Sequence, residues 1–155
     1  TYGAANRPED MAEHLARAYG ARQQAREIAD PAWVTLLLEA PDGMAGYAQL
    51  RRGPAPPCVP PAEPIELHRF YVDRPWHGRG AARLLMQAVL DTAVGLGAGG
   101  VWLGVWERNP RAIAFYVKSG YRDVGTTHFH VGPDRQLDRV MFREIALAAR
   151  QAVTP

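Results

Sequence analysis

Residues 65–82 read I-E-L-H-R-F-Y-V-D-R-P-W-H-G-R-G-A-A, and the change of character halfway along this stretch decides the fold. The run 65–72 has the aliphatic and aromatic content of a strand. Residues 79–96 then place Leu84, Leu85, Ala88, Val89 and Thr92 on neighbouring turns of a helix. Between the two lie Gly78 and Gly80, with Arg79 between them and Ala81 and Ala82 behind. A strand that hands over to a helix in this way leaves the first helical amides without intrahelical partners, and glycine lets a bulky anion come close to them. The octapeptide P-W-H-G-R-G-A-A (75–82) therefore reads either as a diphosphate cradle or as a tight strand-to-helix turn.

Working outward, residues 8–30 look helical. Pro8 suits a first turn, Glu9 and Asp10 suit the positive helix end, and Met11, Leu15, Ala18 and Tyr19 recur at helical spacing. Gly20 divides this region, and a second short helix runs to about Ile28, where Asp30-Pro31 stops it. The runs W-V-T-L-L-L-E (33–39) and M-A-G-Y-A-Q-L (44–50) flank Pro41-Asp42-Gly43 as a hairpin. The proline-rich stretch 51–64 shows no packing pattern and reads as a long hairpin loop, with a polyproline ligand as the alternative. Downstream, G-A-G-G (97–100) ends the helix and V-W-L-G-V (101–105) is a buried-looking strand. Asn109-Pro110 supplies an N-cap and first-turn proline for a helix containing Ile113, Phe115, Tyr116 and Val117, and Gly120 ends it. Two β runs, 121–131 and 137–145, flank G-P-D-R (132–135). Without an internal repeat, these elements make one mixed α/β domain over residues 1–155.

The 155 residues suffice for one core; 47% are hydrophobic and 22% charged, which is globular. No apolar run approaches the roughly 18 residues of a membrane span, and no secretory signal is visible. The single cysteine, Cys58, excludes an internal disulfide framework and favours a reducing compartment, so cytoplasm is the expected location. A net charge of +2, with arginines scattered and Lys118 the only lysine, argues against nucleic acid as a partner. Ser119, the only serine, follows a helix and not a nucleophile elbow, so a serine triad is not expected.

The order of strand, glycine junction, helix, strand and Asn-capped helix resembles the GNAT superfamily of acetyl-CoA-dependent N-acetyltransferases. The segment N-P-R-A-I-A-F-Y-V-K-S-G-Y (109–121) is similar to the family's Asn-x-x-Ala-x-x-(Phe)-Tyr-x-x-x-Gly-Phe/Tyr motif. The family's Gln/Arg-x-x-Gly-x-Gly/Ala motif falls on His77-x-x-Gly80-x-Ala82 or on Pro75-x-x-Gly78-x-Gly80, and neither register has Gln or Arg first. The ends T-Y-G (1–3), P-E-D-M (8–11), F-H-V-G (129–132) and Q-L-D-R-V-M (136–141) look similar to the branch containing bacterial polyamine acetyltransferases. The resemblance implies an α/β (α+β) fold: a mixed, mostly antiparallel central sheet, splayed between two central strands and flanked by helices. It also places Thr1 some way into the domain, so that the family's first strand and first helix are expected upstream.

The resemblance implies acetyl-CoA as donor, its pyrophosphate held by the junction amides at His77, Gly78, Arg79, Gly80, Ala81 and Ala82, beside Trp76. The pantetheine arm would pair with the backbone of Phe70, Tyr71 and Val72. Amide formation needs a neutral amine, a base for its proton and an acid for the departing thiolate. Glu66 looks like the family's glutamate base, acting directly or through water, and strand periodicity puts it on the face of Phe70 and Val72; a structural ion pair is the competing role. Tyr116 matches the family's tyrosine acid, with plain packing as the competing role. Asn109 would chiefly cap its helix and also touch the cofactor arm. His128 and His130 share a strand face and would line the amine pocket; two strand histidines are no basis for a metal site. The acceptor is expected to be a small primary amine, a polyamine above all, drawn in by Glu9, Asp10 and Glu13. A protein N-terminus or lysine is the alternative acceptor, and a non-catalytic acyl-CoA sensor the alternative function. The resemblance leaves room for a homodimer.

Overall fold

The computed structural model describes residues 20–61, 63–131 and 134–145, without the side chains of 129–131 and 134–135. The helix expected over 8–20, with Glu9, Asp10 and Glu13, lies outside the described residues. The elements are α1 (Ala21–Ala29), β1 (Trp33–Ala40), β2 (Gly43–Arg51), β3 (Pro64–Val72), α2 (Ala81–Gly95), β4 (Gly100–Trp106), α3 (Pro110–Lys118), β5 (Arg122–Val131) and β6 (Asp134–Glu144). Among these residues no helix is long and apolar enough to cross a membrane.

The six strands form one sheet in the order β1-β2-β3-β4-β6-β5. Neighbours pair antiparallel except β3 with β4, which run parallel. This is the expected mixed, mostly antiparallel sheet. The parallel pair requires a crossover, and α2 supplies it.

The main core lies between the sheet and α2. Ala48, Leu50, Ile65, Leu67, Val101, Leu103 and Met141 meet Leu85, Met86, Val89, Leu90 and Ala93, with Phe115 and Tyr116 of α3 at the margin. The buried stripe of α2 corrects the sequence expectation: Leu84 is 63% exposed and Ala88 is exposed, whereas Met86 and Leu90 are buried. An alanine- and leucine-rich helix carries two adjacent apolar stripes, and docking chooses between them.

The opposite face carries α1 and the loop residues 52–61. Val59 is buried with Trp102, Val140 and Phe142, and Cys58 packs beside it, half-buried. The proline-rich stretch thus has a packing role invisible to periodicity: it roofs the lower half of this face as the link between β2 and β3.

At the start of α3 the Asn109 side chain accepts a hydrogen bond from the Ala112 amide (3.2 Å), and Pro110 occupies the first turn. Asn109→Ala is expected to cost about 1 kcal/mol, read as a melting temperature lower by about 2–4 °C; an unchanged value would show that the cap is dispensable.

Candidate active site

β3 and β4 pair over only three rungs, Pro64 with Gly100, Ile65 with Val101 and Glu66 with Trp102. Beyond Trp102 the strands part. Residues 67–72 keep only β2 as a neighbour, and residues 103–106 keep only β6. Each parted edge turns alternate amides and carbonyls into the cleft, the arrangement that accepts an extended polar ligand as a strand would be accepted. Phe70, Tyr71 and Val72 lie on the β3 edge.

The glycine junction stands at the head of the cleft. After the turn Arg74–Trp76, Gly78 (φ 75°) and Gly80 (φ 84°) are both left-handed, and Gly80 is the N-cap of α2 with no side-chain cap. The first helical bond is from the Leu84 amide to the Gly80 carbonyl (3.0 Å), so the amides of Ala81, Ala82 and Arg83 precede the intrahelical series. A Cβ built on Gly78 or Gly80 meets nothing within 4 Å. The space before these amides is open, and its donors suit a phosphate. Arg79 is exposed, its guanidinium 5.9 Å from the Trp76 ring centroid.

His77, which opens one of the two possible motif registers, makes specific contacts. Its Nε2 bonds to the Val72 carbonyl (2.8 Å), and Arg111 donates to its Nδ1 (3.1 Å). One imidazole thereby ties the end of β3 to the first turn of α3 across the head of the cleft. Arg111 was not singled out in the sequence; nothing local marks it.

On the α2 side of the sheet, Tyr116 lies in an aromatic group with Phe70 (centroids 6.3 Å), Phe115 (5.5 Å) and Tyr121 (5.7 Å). Burial, with the neighbouring Tyr116, pushes the Tyr121 hydroxyl up, while Tyr116 itself is half-buried.

Glu66 lies elsewhere than expected. Ala48 faces Phe70 and Leu50 faces Leu67, whereas Gln49 faces Arg69 and Arg51 faces Glu66, so His68 is an extra, bulged residue. A bulge reverses the alternation. Glu66 therefore shares a face with Arg69, opposite Phe70 and Val72, and the same-face expectation is corrected. Its carboxylate bonds to Arg51 Nε (2.7 Å) and to His68 Nδ1 (3.0 Å). Burial acts to raise its pKa, but the hydrogen bonds and charges of His68 and Arg51 together hold it below the ordinary value. The same face carries a buried ion pair between Arg69 of β3 and Glu27 of α1, with Gln49 Oε1 2.6 Å from Arg69.

His128 is exposed and faces Leu137 in the β5–β6 register, which puts it on the α2 side, away from Glu66. The His130 side chain lies outside the described residues.

The acetyltransferase (GNAT) family model matches residues 5–121. An uncharacterised N-acetyltransferase of Mycobacterium bovis is 36% identical over 138 residues, covering 89% of this chain and 84% of the relative. Among solved structures, PaiA N-acetyltransferase from Thermoplasma acidophilum in complex with coenzyme A superposes with a TM-score of 0.73 at 17% identity, over 94% of this chain and 84% of that one. The spermidine/spermine N-acetyltransferase SpeG from Vibrio cholerae gives 0.62 at 20% identity, over 79% and 73%. A family model that matches most of the chain, with a relative 36% identical along nearly its whole length, is more than shared architecture, and the chain belongs to the acetyltransferase (GNAT) family.

Proposed function

We propose that this acetyltransferase moves the acetyl group of acetyl-CoA to a primary amine of a small cationic molecule, a polyamine above all, by direct attack in a ternary complex. The observation that carries the reading is the cleft between β3 and β4 with the open amides of α2 at its head. The amides of Ala81 and Ala82, beside Gly78, Arg79 and Gly80, would hold the pyrophosphate, and the edge at Phe70, Tyr71 and Val72 the pantetheine arm. Support for a polyamine comes from the spermidine/spermine acetyltransferase among the structural neighbours.

Glu66 and Tyr116 flank the cleft from opposite faces of the sheet. In the proposed reaction the amine nitrogen attacks the thioester carbon, and the carbon–sulfur bond breaks as the amide bond forms. The amine proton leaves towards Glu66, directly or through water; the bonds from Arg51 and His68 hold the carboxylate in place and lower its basicity. The thiolate takes its proton from the Tyr116 hydroxyl.

Steady-state assays with acetyl-CoA and a panel of spermidine, putrescine, monoamines and peptides test the reading. Spermidine is expected to saturate, and Tyr116→Phe to lower kcat by about 10²-fold with the acetyl-CoA KM little changed. Turnover of peptide N-termini alone would replace the small-amine reading with acetylation of proteins.

A further inference from the structure

β4 reads G-V-W-L-G-V-W (100–106), and Gly104 is its one exposed residue. Beside it, on β6, stands Asp138. Its register partner is Trp106, one pleat beyond Gly104, so its side chain emerges on the same face as Gly104 and Trp102. Trp102 in turn faces Glu66, which puts Asp138 on the face of the proposed base. The carboxylate leans over the glycine: a Cβ built on Gly104 would lie 3.3 Å from Asp138 Oδ2.

Asp138 is only 9% exposed, and its Oδ1 has no hydrogen-bond partner among the described residues. No cation pairs with it among those residues. Glu66 shares the face but is held by Arg51 and His68, and the neighbouring Arg139 is committed to Asp123. Burial pushes the Asp138 carboxyl up to about 6. A buried carboxylate without a counter-charge is costly to folding, and its environment is of the kind found where a cation or a proton is to be handled.

The placement is specific. Gly104 belongs to the stretch of β4 that has parted from β3, so it borders the cleft, and Asp138 stands one strand beyond. Adjacent strands are about 5 Å apart. An amine in the cleft therefore reaches Asp138 with a second nitrogen a few methylenes away, passing over the position that lacks a side chain.

We propose that Asp138, reached across the notch at Gly104, binds the second, non-reacting ammonium group of the acceptor amine. The inference rests on the small-amine reading and makes it narrower. The preferred acceptor carries two cationic nitrogens; a monoamine fills the cleft and leaves the carboxylate unpaired.

The test compares putrescine with n-butylamine, which has the same carbon chain and one nitrogen. The wild-type protein is expected to show the lower KM for putrescine. In Asp138→Asn the putrescine KM should rise by about 10- to 100-fold, the range for one charged hydrogen bond, with its kcat within about threefold and the KM ratio of the two amines collapsing towards one. Gly104→Ala leaves the carboxylate in place but fills the notch, and should shift the same ratio in the same direction; melting curves of both variants check the fold. Asp138→Glu should restore part of the preference. A putrescine-to-butylamine ratio unchanged in Asp138→Asn, or a loss confined to kcat, would overturn the inference while acetylation of both amines upheld the small-amine reading. Wild-type protein that acetylates neither amine would overturn both.

Discussion

Gly80→Trp should weaken acetyl-CoA binding by at least about 10²-fold in titration calorimetry, while its unfolding midpoint falls by only about 2–8 °C. Two features set the size of the effect. Three amides, those of Ala81, Ala82 and Arg83, precede the first intrahelical bond, and hydrogen bonds to a charged group contribute about 1.5–3 kcal/mol each. A tryptophan at Gly80 would stand in the open space before them, since a Cβ there meets nothing within 4 Å. The fold should tolerate it because the cost is confined to the left-handed backbone, φ 84°, about 1–2 kcal/mol for a residue with a side chain. Gly80→Ala separates the two contributions: it carries the same backbone cost without the bulk, so its affinity should remain much nearer the wild type. Equal affinities for wild type and Gly80→Trp would mean that the junction is only a turn, and the pyrophosphate would have to be held elsewhere.

Glu27→Ala is expected to destabilise the protein by about 3–5 kcal/mol, a fall in melting temperature of about 10 °C for a chain of this size. Glu27 is the one buried residue of α1, and the side chains of Glu27 and Arg69 are 4% and 6% exposed. Removing the carboxylate takes the Glu27 counter-charge from the buried Arg69 guanidinium, which stays beside Gln49. Replacing both partners, as in Glu27→Leu with Arg69→Met, should recover most of the loss, because the pair's attraction roughly balances its own desolvation. The pH dependence has a definite sign. Burial acts to raise the Glu27 carboxyl, but Arg69, Gln23 and His68 together hold it below its ordinary value. The native state therefore binds fewer protons than the unfolded state around that pKa, and the stability contributed by the pair is full above the unfolded value and lost as pH falls through the native one. The deficit of Glu27→Ala should be constant near neutrality and shrink in acid. A deficit below about 1 kcal/mol at pH 7, the size of an exposed pair, would show that α1 is not anchored through this pair.

The two variants probe what was differently legible. The junction at 75–82 could be read from local rules, because a left-handed glycine and a helix start are properties of a few consecutive residues. Glu27 could not. Its sequence neighbourhood, Q-A-R-E-I-A, is that of a solvated helix face, and only the docking of α1 on the sheet brings Arg69 to it. Cys58 is a similar case: a proline-rich loop carries no period, yet it comes to pack against Val140 and Phe142.

By itself the sequence determined the order of elements, the glycine junction and the Asn109 cap, because backbone sterics, capping and hydrophobic period act over a few residues. Only the tertiary structure decided which stripe of α2 is buried, how far β3 and β4 stay paired, and which face Glu66 occupies. Those outcomes depend on register, and register is set between strands. One bulged residue, His68, carries Glu66 to the opposite face from Phe70, and strand pairing alone brings Asp138 beside Gly104, 34 residues earlier in the chain.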